Sequence, residues 1–586
     1  MAESTEVRVD FATPQLTLRA ALTGMTIGGV LCICNVYTGL KIGWGLNMSI
    51  TGILLAYAFW YALHQASGQR VRMFGKLENN VNQSAVSAAG AVSSAGLVSA
   101  IPALTMIDGT TLPWWQLSLW IATVCLVGIA VATGLRRQMI IRDNLAFPGG
   151  VACATTLKEV YTTGRDAMVR VGVLAGAAVT AGAIKVFEII GWVKRTTLGL
   201  TIGGQPASLY SFGLDPTLLM VAVGGLIGFR ASWSVMLGSV MAWVVIGPQL
   251  VARDMTPAAR GPVGEWLLWP GVTLMVVASL VSLAFSAPAI LRAFRHTGGE
   301  STTTEDTGEV SRAWFFRSCG VALVLAVILQ VWLFDIAWWA AVAAVLLSFA
   351  LAVVASRVSG ETNVTPVGAM GKVTQLVFAV LMPKNAAANL MSASVTAGAA
   401  SQCADLMHDL KCGYMLGAVA RKQVIAQFLG SVVGAAIASG FYLILVPDPA
   451  TMLLTDKWPA PAVAQWRGVA LVFREGLESL PPGATTAMLI AGIAGVLLPV
   501  LEKVLPGRAK AFVPSAAALG LAFVIPMNNA ISMFIGGCIG LACLKAAPLW
   551  TGRYFVTICA GVIAGESLVG AGDAVRVVAS GLSTEE

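Results

Sequence analysis

Charge-free apolar runs recur along this chain at the length a membrane demands. They lie between Arg19 and Lys41, Lys41 and Arg70, Glu78 and Asp108, Gly109 and Arg136, Arg230 and Arg253, Glu265 and Arg292, and Asp335 and Arg357. Others lie between Lys384 and Asp405, Lys422 and Asp448, Glu478 and Glu502, and Lys510 and Lys545, with weaker runs over 170–185, 215–230, 317–335 and from Arg553 onward. A helix crosses a bilayer with about 20 mostly apolar residues, so these runs predict roughly 14 to 16 spans. The tryptophan pairs Trp114-Trp115 and Trp338-Trp339 mark span ends, because indole rings favour the headgroup region. The expected fold class is an all-α polytopic membrane protein.

Composition closes the alternatives. Of 586 residues only 11% are charged and 57% are apolar, with a mean hydropathy of +0.79. A soluble domain carries about 25% charged residues, so a soluble, disordered or secreted disulfide-built chain is excluded. Lys plus Arg is 37 and Asp plus Glu is 29, a net charge of 37 − 29 = +8. The basic loops around Arg70, Arg136, Arg292, Arg421 and Lys503 belong on the cytoplasmic side, with the Asp108 and Asp448 loops outside. No clustered basic face points to nucleic acid. Ten scattered Cys without a CxxC pair, and three His, offer no dedicated metal cage and no cofactor site. Met1 to Pro14 lacks the pattern of a cleaved signal peptide. The expected location is a bacterial inner membrane.

One stretch differs in kind. His296 to Arg312 is polar and rich in Gly, Ser and Thr, as a flexible linker is. The chain therefore divides into a short tail (1–14), a first transmembrane repeat (15–292), a linker (293–315) and a second repeat (316–582). A shift of 308 brings Lys76, Ser84, Ala85, Ala89, Gly90, Ala91 and Ser93 onto identical residues at 384, 392, 393, 397, 398, 399 and 401. Asn35-Val36 resembles Asn363-Val364, and Ala154-Thr155-Thr156 resembles Ala484-Thr485-Thr486. Helices rich in Ala, Gly and Ser match each other easily, but here the matched features keep their order. Span parity alone leaves the relation of the repeats, parallel or inverted, open.

Polar residues at membrane depth are costly and point to function. The first group is Asn35, Tyr37, Thr38 and Lys41 in NVYTGLKIGW; the plain alternative is a short interfacial loop. The second is Glu78, Asn79 and Asn82, opening a small-residue helix. There a helix N-terminus with amide side chains suits a carboxylate, or serves only as a cap and packing face. The third is the break FPGG at 147–150, followed by Thr155 and Thr156, with a matching break expected in Phe473–Met488 around Glu475, Pro481 and Pro482. Paired breaks at corresponding positions indicate a carrier's binding site. The fourth runs from Glu361, Asn363 and Thr365 to Lys384, Asn385 and Asn389. Asp405 and His408 follow at i and i+3, a pair fit to shuttle a proton or to form a boundary ion pair. Asn528 and Glu566 complete the set.

No GxxxxGK[ST], HExxH or GxSxG motif is present, so an ion or substrate gradient must supply the energy. The stretches NVYTGLKIGW, KLENNVNQSAVSAAG, FPGGVACATTLKEVY, TNVTPVGAMGKVTQLVFAVLMP, NLMSASVTAGAASQCADLMHDLKCGY and VIPMNNAISMFIGGCIG, in this order, resemble the oligopeptide transporter (OPT) family in its yellow-stripe-like and prokaryotic branch. The resemblance covers about residues 15 to 580 and implies a proton-coupled secondary transporter. Family substrates include small peptides and metals chelated by nicotianamine or siderophore-type ligands. The KIPPR-like and NPGPFN-like motifs of the peptide-transporting branch are missing. The implied site uses Asn35, Asn79, Asn82, Asn363, Asn385, Asn389, Asn528, Thr38, Thr155, Thr156, Thr365, Tyr37 and Glu78 for substrate, with Lys41 and Lys384 adding charge. One of Glu78, Glu361, Glu475 or Glu566 then carries the coupling proton. Expected partners are the substrate, protons, lipid and a second copy in a homodimer. A passive channel or facilitator is the alternative; an intramembrane enzyme needs two close carboxylates sharing a proton, and deep Asp residues are few.

Overall fold

A computed structural model describes residues 9–162, 164–196, 199–257, 259–285, 308–506, 509 and 512–580. The expected linker lies outside the described residues up to 307. The first half contains α1 (Leu18–Ile42), α2 (Ser49–Ala66), α3 (Lys76–Ala91), α4 (Ala100–Asp108), α5 (Trp114–Arg136), α6 (Pro148–Thr162), α7 (Gly164–Ile189), α8 (Leu218–Ser239) and α9 (Arg260–Phe285). The second contains α10 (Arg312–Phe334), α11 (Trp338–Thr362), α12 (Val367–Leu381), α13 (Ala386–Leu416), α14 (Ala420–Leu445), α15 (Pro461–Glu475), α16 (Ala484–Val504), α17 (Ala516–Leu521), α18 (Met527–Ala546) and α19 (Val556–Ala579). A two-residue hairpin, Thr201–Ile202 with Gln205–Pro206, is the one sheet among the described residues.

Twelve helical segments among the described residues are long and apolar enough to cross a membrane. Helices α2, α6, α12, α13 and α15 fall short in length or in apolarity, which is where the count departs from 14 to 16. Of these, α13 is buried along almost its whole length, while α2 and α12 keep exposed apolar residues such as Phe59 and Val380 towards their ends. The peripheral helices α10 and α16 present exposed apolar faces, including Val324, Ile328 and Leu489, Ile493, where lipid belongs.

At the centre stand α3 and α13, both rich in small and polar residues and buried along almost their whole length. Helices associate in lipid by close backbone approach rather than by hydrophobic force. Gly24 and Gly28 of α1 face Ala85 and Ala89 of α3 so closely that added Cβ atoms would stand 2.7 and 2.8 Å from the alanine methyls. From the other side Gly430 and Gly434 of α14 press on the same two alanines, with clearances of 2.1 Å to Ala85 O and 2.6 Å to Ala89 Cα. Two glycine pairs at i, i+4 thus grip one alanine pair.

Contacts around the helix ends set the direction of travel. Arg19, at the start of α1, bonds to Arg72 O (2.8 Å) and to Glu78 at the start of α3. The segment before α1 meets the end of α13, where Asp10 N donates to Gly417 O at 2.8 Å. Arg136, closing α5, pairs with Glu309, and Arg421 N donates to Gly308 O at 3.2 Å. These basic ends share one side. Helix α3 begins there and α13 ends there, so the two segments that match at a shift of 308 run through the bundle in opposite directions.

The glycine grip carries a prediction. Gly430→Val should lower stability by about 1–3 kcal/mol through overpacking, read as a drop in the thermal unfolding midpoint of detergent-purified protein. Gly172→Ala, where the new methyl meets nothing within 4 Å, should be neutral or stabilising by up to about 1 kcal/mol.

Candidate functional site

Two helix breaks build the site. At the first, Phe147 adopts a left-handed conformation (φ 42°) and its N–H donates to Gly360 O of α11 at 3.0 Å. Pro148 then opens α6, a position where its missing N–H costs nothing. At the second, Ala460 adopts the same conformation (φ 42°) and its N–H donates to Leu40 O of α1 at 2.9 Å. Pro461 opens α15. Both helices have 15 residues. Each half therefore starts a short helix against the last turn of a long helix in the other half. The second break lies at Ala460-Pro461, not in Phe473–Met488 as expected. That segment joins α15 to α16: Glu475 and Glu478 are exposed, Arg474 pairs with Asp108, and Pro481-Pro482-Gly483 makes an ordinary turn ending in Gly483 at φ 75°.

The breaks open onto a cavity of about 900 Å³ between the halves. Gly149 of α6 and Ala462, Gln465 and Trp466 of α15 face it, with the 43–48 loop, Thr51 of α2, Ser87 of α3 and Ser401 of α13. A volume of this size suits a small-molecule ligand. Its charged lining is confined to Asp405 and His408 on α13 among the described residues. Asp405 is half-buried, and its contact is a long one, Ser401 Oγ to Oδ2 at 3.5 Å. His408 is tied down. Gly150 N–H points at its Nδ1 (3.3 Å), so the ring proton belongs on Nε2, which donates to Ser359 Oγ at 2.9 Å. Asp405 and His408 make no ion pair with each other, so the boundary pair weighed from their spacing does not form. One turn below Asp405 and within reach of its charge, buried Asp409 has neutral hydrogen-bonding neighbours: the Gln427 amide stands 3.1 Å from its Oδ2, and Gln423 Nε2 donates to its backbone oxygen at 2.8 Å.

Of the residues expected to bind substrate, Asn35, Asn363 and Thr365 line the cavity. Asn35 is a strut: it donates to Leu46 O (2.9 Å) and Gly90 O (2.8 Å) and accepts from Leu46 N (3.0 Å). Asn363 caps the broken helix by accepting from Gly149 N at 2.8 Å, and Thr365 bonds Ser359 at 2.9 Å. The others lie elsewhere. Tyr37 and Trp458 meet edge to face, with Lys41 Nζ 5.2 Å from the Trp458 ring. Thr38 bonds Ser567 (3.2 Å), Asn79 donates to Ile53 O (3.1 Å) and Asn82 to Asn79 (3.0 Å). Thr155 is exposed and bonds its own helix at Val151 O (3.0 Å), while Thr156 is buried. Lys384 is exposed, Asn385 caps α13 through Ala388 N (2.8 Å), and Asn389 pairs with Gln375. Asn528 donates to Asp215 at 2.8 Å.

The four glutamates also lie outside the cavity lining. Glu78 accepts from Thr17 Oγ1 (2.9 Å), Arg19 Nε (2.8 Å), Arg72 Nη2 (2.8 Å) and Gly75 N (2.9 Å). Glu361 is exposed and bonds Arg357 at 3.2 Å, Glu475 is exposed, and Glu566 caps α8 through Leu219 N (2.8 Å) and Thr217. Ser401, Thr51, Gln465 and Trp466 are among the lining residues that sequence reasoning passed over; on α13 the i, i+3 spacing of Asp405 and His408 signalled the cavity face. Glu78→Ala should cost about 3–5 kcal/mol by leaving Arg19 uncompensated. The check is the unfolding midpoint, and any uptake by the folded fraction should keep its pH dependence.

Comparison with known proteins agrees with this architecture. The family profile described as OPT oligopeptide transporter protein matches residues 15–572. A Saccharomyces cerevisiae protein named "Putative oligopeptide transporter" is 23% identical, covering 90% of this chain and 91% of its own length. A metal-nicotianamine transporter of Arabidopsis thaliana is 21% identical, covering 94% and 90%. An iron-phytosiderophore transporter of Oryza sativa subsp. japonica is 22% identical, covering 94% and 90%. A polytopic bundle with a cavity between its halves, matched along nearly its whole length, belongs to the oligopeptide transporter family and is a membrane transporter, not an enzyme.

Proposed function

We propose that this chain is a proton-coupled importer of small oligopeptides or peptide-like metal chelates, with the cavity between its halves as the substrate site and Asp405 as the coupling group. The observation that carries the reading is the position of Asp405. It is the carboxylate in the cavity lining among the described residues, and it has one long contact, to Ser401. Glu78 and Glu566, by contrast, are held by several donors each. A group that must take up and release a proton during each cycle needs spare bonding capacity and access to substrate.

Relatives named for peptides and for metal-nicotianamine or phytosiderophore complexes match this chain along nearly its whole length. Both substrate classes present amines and carboxylates on a flexible scaffold. Asn363, Thr51 and Ser401 supply neutral hydrogen-bonding groups, and Asp405 supplies a counter-charge for an amine. A metal would cross inside its chelate. The swapped half-helices support alternating access, because rocking one half against the other shifts both cavity-facing helix starts together. One pH unit supplies about 1.4 kcal/mol per proton, enough for roughly tenfold accumulation in one-to-one symport.

Proteoliposomes containing the full chain test this with trialanine and iron(III)-nicotianamine. An inwardly directed proton gradient should drive accumulation of at least one of them. Asp405→Asn should reduce gradient-driven accumulation at least tenfold yet leave exchange of preloaded substrate measurable. Accumulation that ignores the gradient, or that survives in Asp405→Asn, overturns the coupling.

A further inference from the structure

A second charge at membrane depth faces the same site from behind. Lys372 of α12 is 1% exposed and makes no ion pair among the described residues. Its ammonium has three donors, and one is used, to Gln375 Oε1 at 3.0 Å. The rest of its cover is aromatic: Nζ stands 4.4 Å from the centroid of the Trp466 ring. Gln375 cannot turn to offer more, since its amide nitrogen donates to Asn389 Oδ1 (2.9 Å) and Trp466 O (3.3 Å). An indole face offsets only part of what an ammonium loses on leaving water. Two unused donors on a buried cation are costly unless something periodically satisfies them.

Trp466 is the wall between Lys372 and the cavity. It lines the cavity, and it packs against α12 at Gly371, where an added Cβ would stand 2.8 Å from its ring. Gly368, one turn before Lys372 on the same helix face, lines the cavity too. The same Gly371 position lies 3.7 Å from Ala397 of α13, and Ala397, Ser401 and Asp405 follow at i, i+4 and i+8 down one face of α13, all lining the cavity. Ala397, at the level of Gly371, is about 12 Å from Asp405 at 1.5 Å per residue along α13, and the Lys372 ammonium, joined through Gln375 to Asn389 two turns further on, lies beyond that level.

We propose that Lys372 is the carboxylate-binding cation of this site, screened by Trp466 in the state described and reached when the indole turns aside. The ligand class follows from the two ends: a cation at one and an anion more than about 12 Å away at the other. That fits an extended zwitterion with its amine at Asp405 and its carboxylate at Lys372, and at least four extended residues are needed to reach this span at about 3.3–3.6 Å each. This rests on the cavity being the substrate site. A carboxylate would take up both free donors in charge-assisted hydrogen bonds. A purely structural Lys372, joining α12, α13 and α15 through Gln375 and Asn389, would show no such preference.

The test compares tetra-alanine with tetra-alanine amide, which keeps the amine and loses the carboxylate. The readout is ligand-dependent thermal stabilisation of the detergent-purified full chain at fixed ionic strength. Wild type should half-saturate with tetra-alanine at a concentration at least tenfold below that for the amide. Lys372→Gln should bind both alike, and Lys372→Arg should keep the preference. Trp466→Ala should tighten tetra-alanine binding at least threefold, a gain that loss of packing cannot produce and that serves if Lys372→Gln does not fold. A wild type that takes both equally or neither, or a preference that survives Lys372→Gln, overturns the assignment. Uptake of both compounds at equal rates would leave the transport function standing and remove this site alone.

Discussion

One backbone hydrogen bond, made twice, holds the site together. Phe147 N to Gly360 O and Ala460 N to Leu40 O each join the end of a long helix in one half to the start of a 15-residue helix in the other. In hydrocarbon a broken helix leaves backbone groups without water, and each costs several kcal/mol unless protein satisfies it. The exchange satisfies both breaks at once, with a left-handed residue and a proline at each. It also obliges the chain to keep both breaks away from lipid. The glycine grip on Ala85 and Ala89 does this by drawing α1, α3 and α14 together around the polar core, and α11, α13 and α5 close the opposite side.

The same constraint explains which parts of the fold hydropathy reveals. A lipid-facing helix must be apolar, so α1, α5, α10, α11, α14 and α16 stand out as charge-free runs. Helices shielded by other helices are free of that demand. Helix α13 carries Asp405, His408, Asp409 and Lys411 within two turns, and α6 and α15, at 15 residues, are shorter than a span of about 20. All three line the cavity, and a length rule passes over the two short ones. The FPGG break was legible because Pro and Gly announce it. Its counterpart is marked by Pro459 and Pro461 alone, with an alanine rather than a glycine in the left-handed conformation, a weaker signal than Pro-Gly-Gly. Pro481-Pro482-Gly483, richer in turn residues, drew attention to a surface connection instead.

Reading the site from polar residues at depth met a different difficulty. Cost in hydrocarbon singles out Asn35, Asn79, Glu78 and Glu566 correctly as residues under strong constraint, but residue type does not distinguish a polar group that binds its own protein from one left open to a ligand. Partners decide that. Glu78 has three side chains and a backbone N–H on its two oxygens, and Asn35 has all its amide capacity committed to Leu46 and Gly90. Removing either would loosen the bundle before it altered recognition. At the site, the charged groups with capacity to spare are Asp405 with one long contact and Lys372 with one of three donors used, beside the Asn363 side chain, which lines the cavity and bonds Gly149. One is an anion, one a cation and one neutral, and they come from α13, α12 and the end of α11, all in the second half. The first half contributes neutral groups, among them Asn47, Thr51, Ser87, Ser94 and Ser99, beside the backbone at Gly45, Gly90 and Gly149. The charges of recognition are therefore concentrated in one half, so sequence changes in the first half would alter the size and neutral polarity of the substrate admitted before they altered its charge.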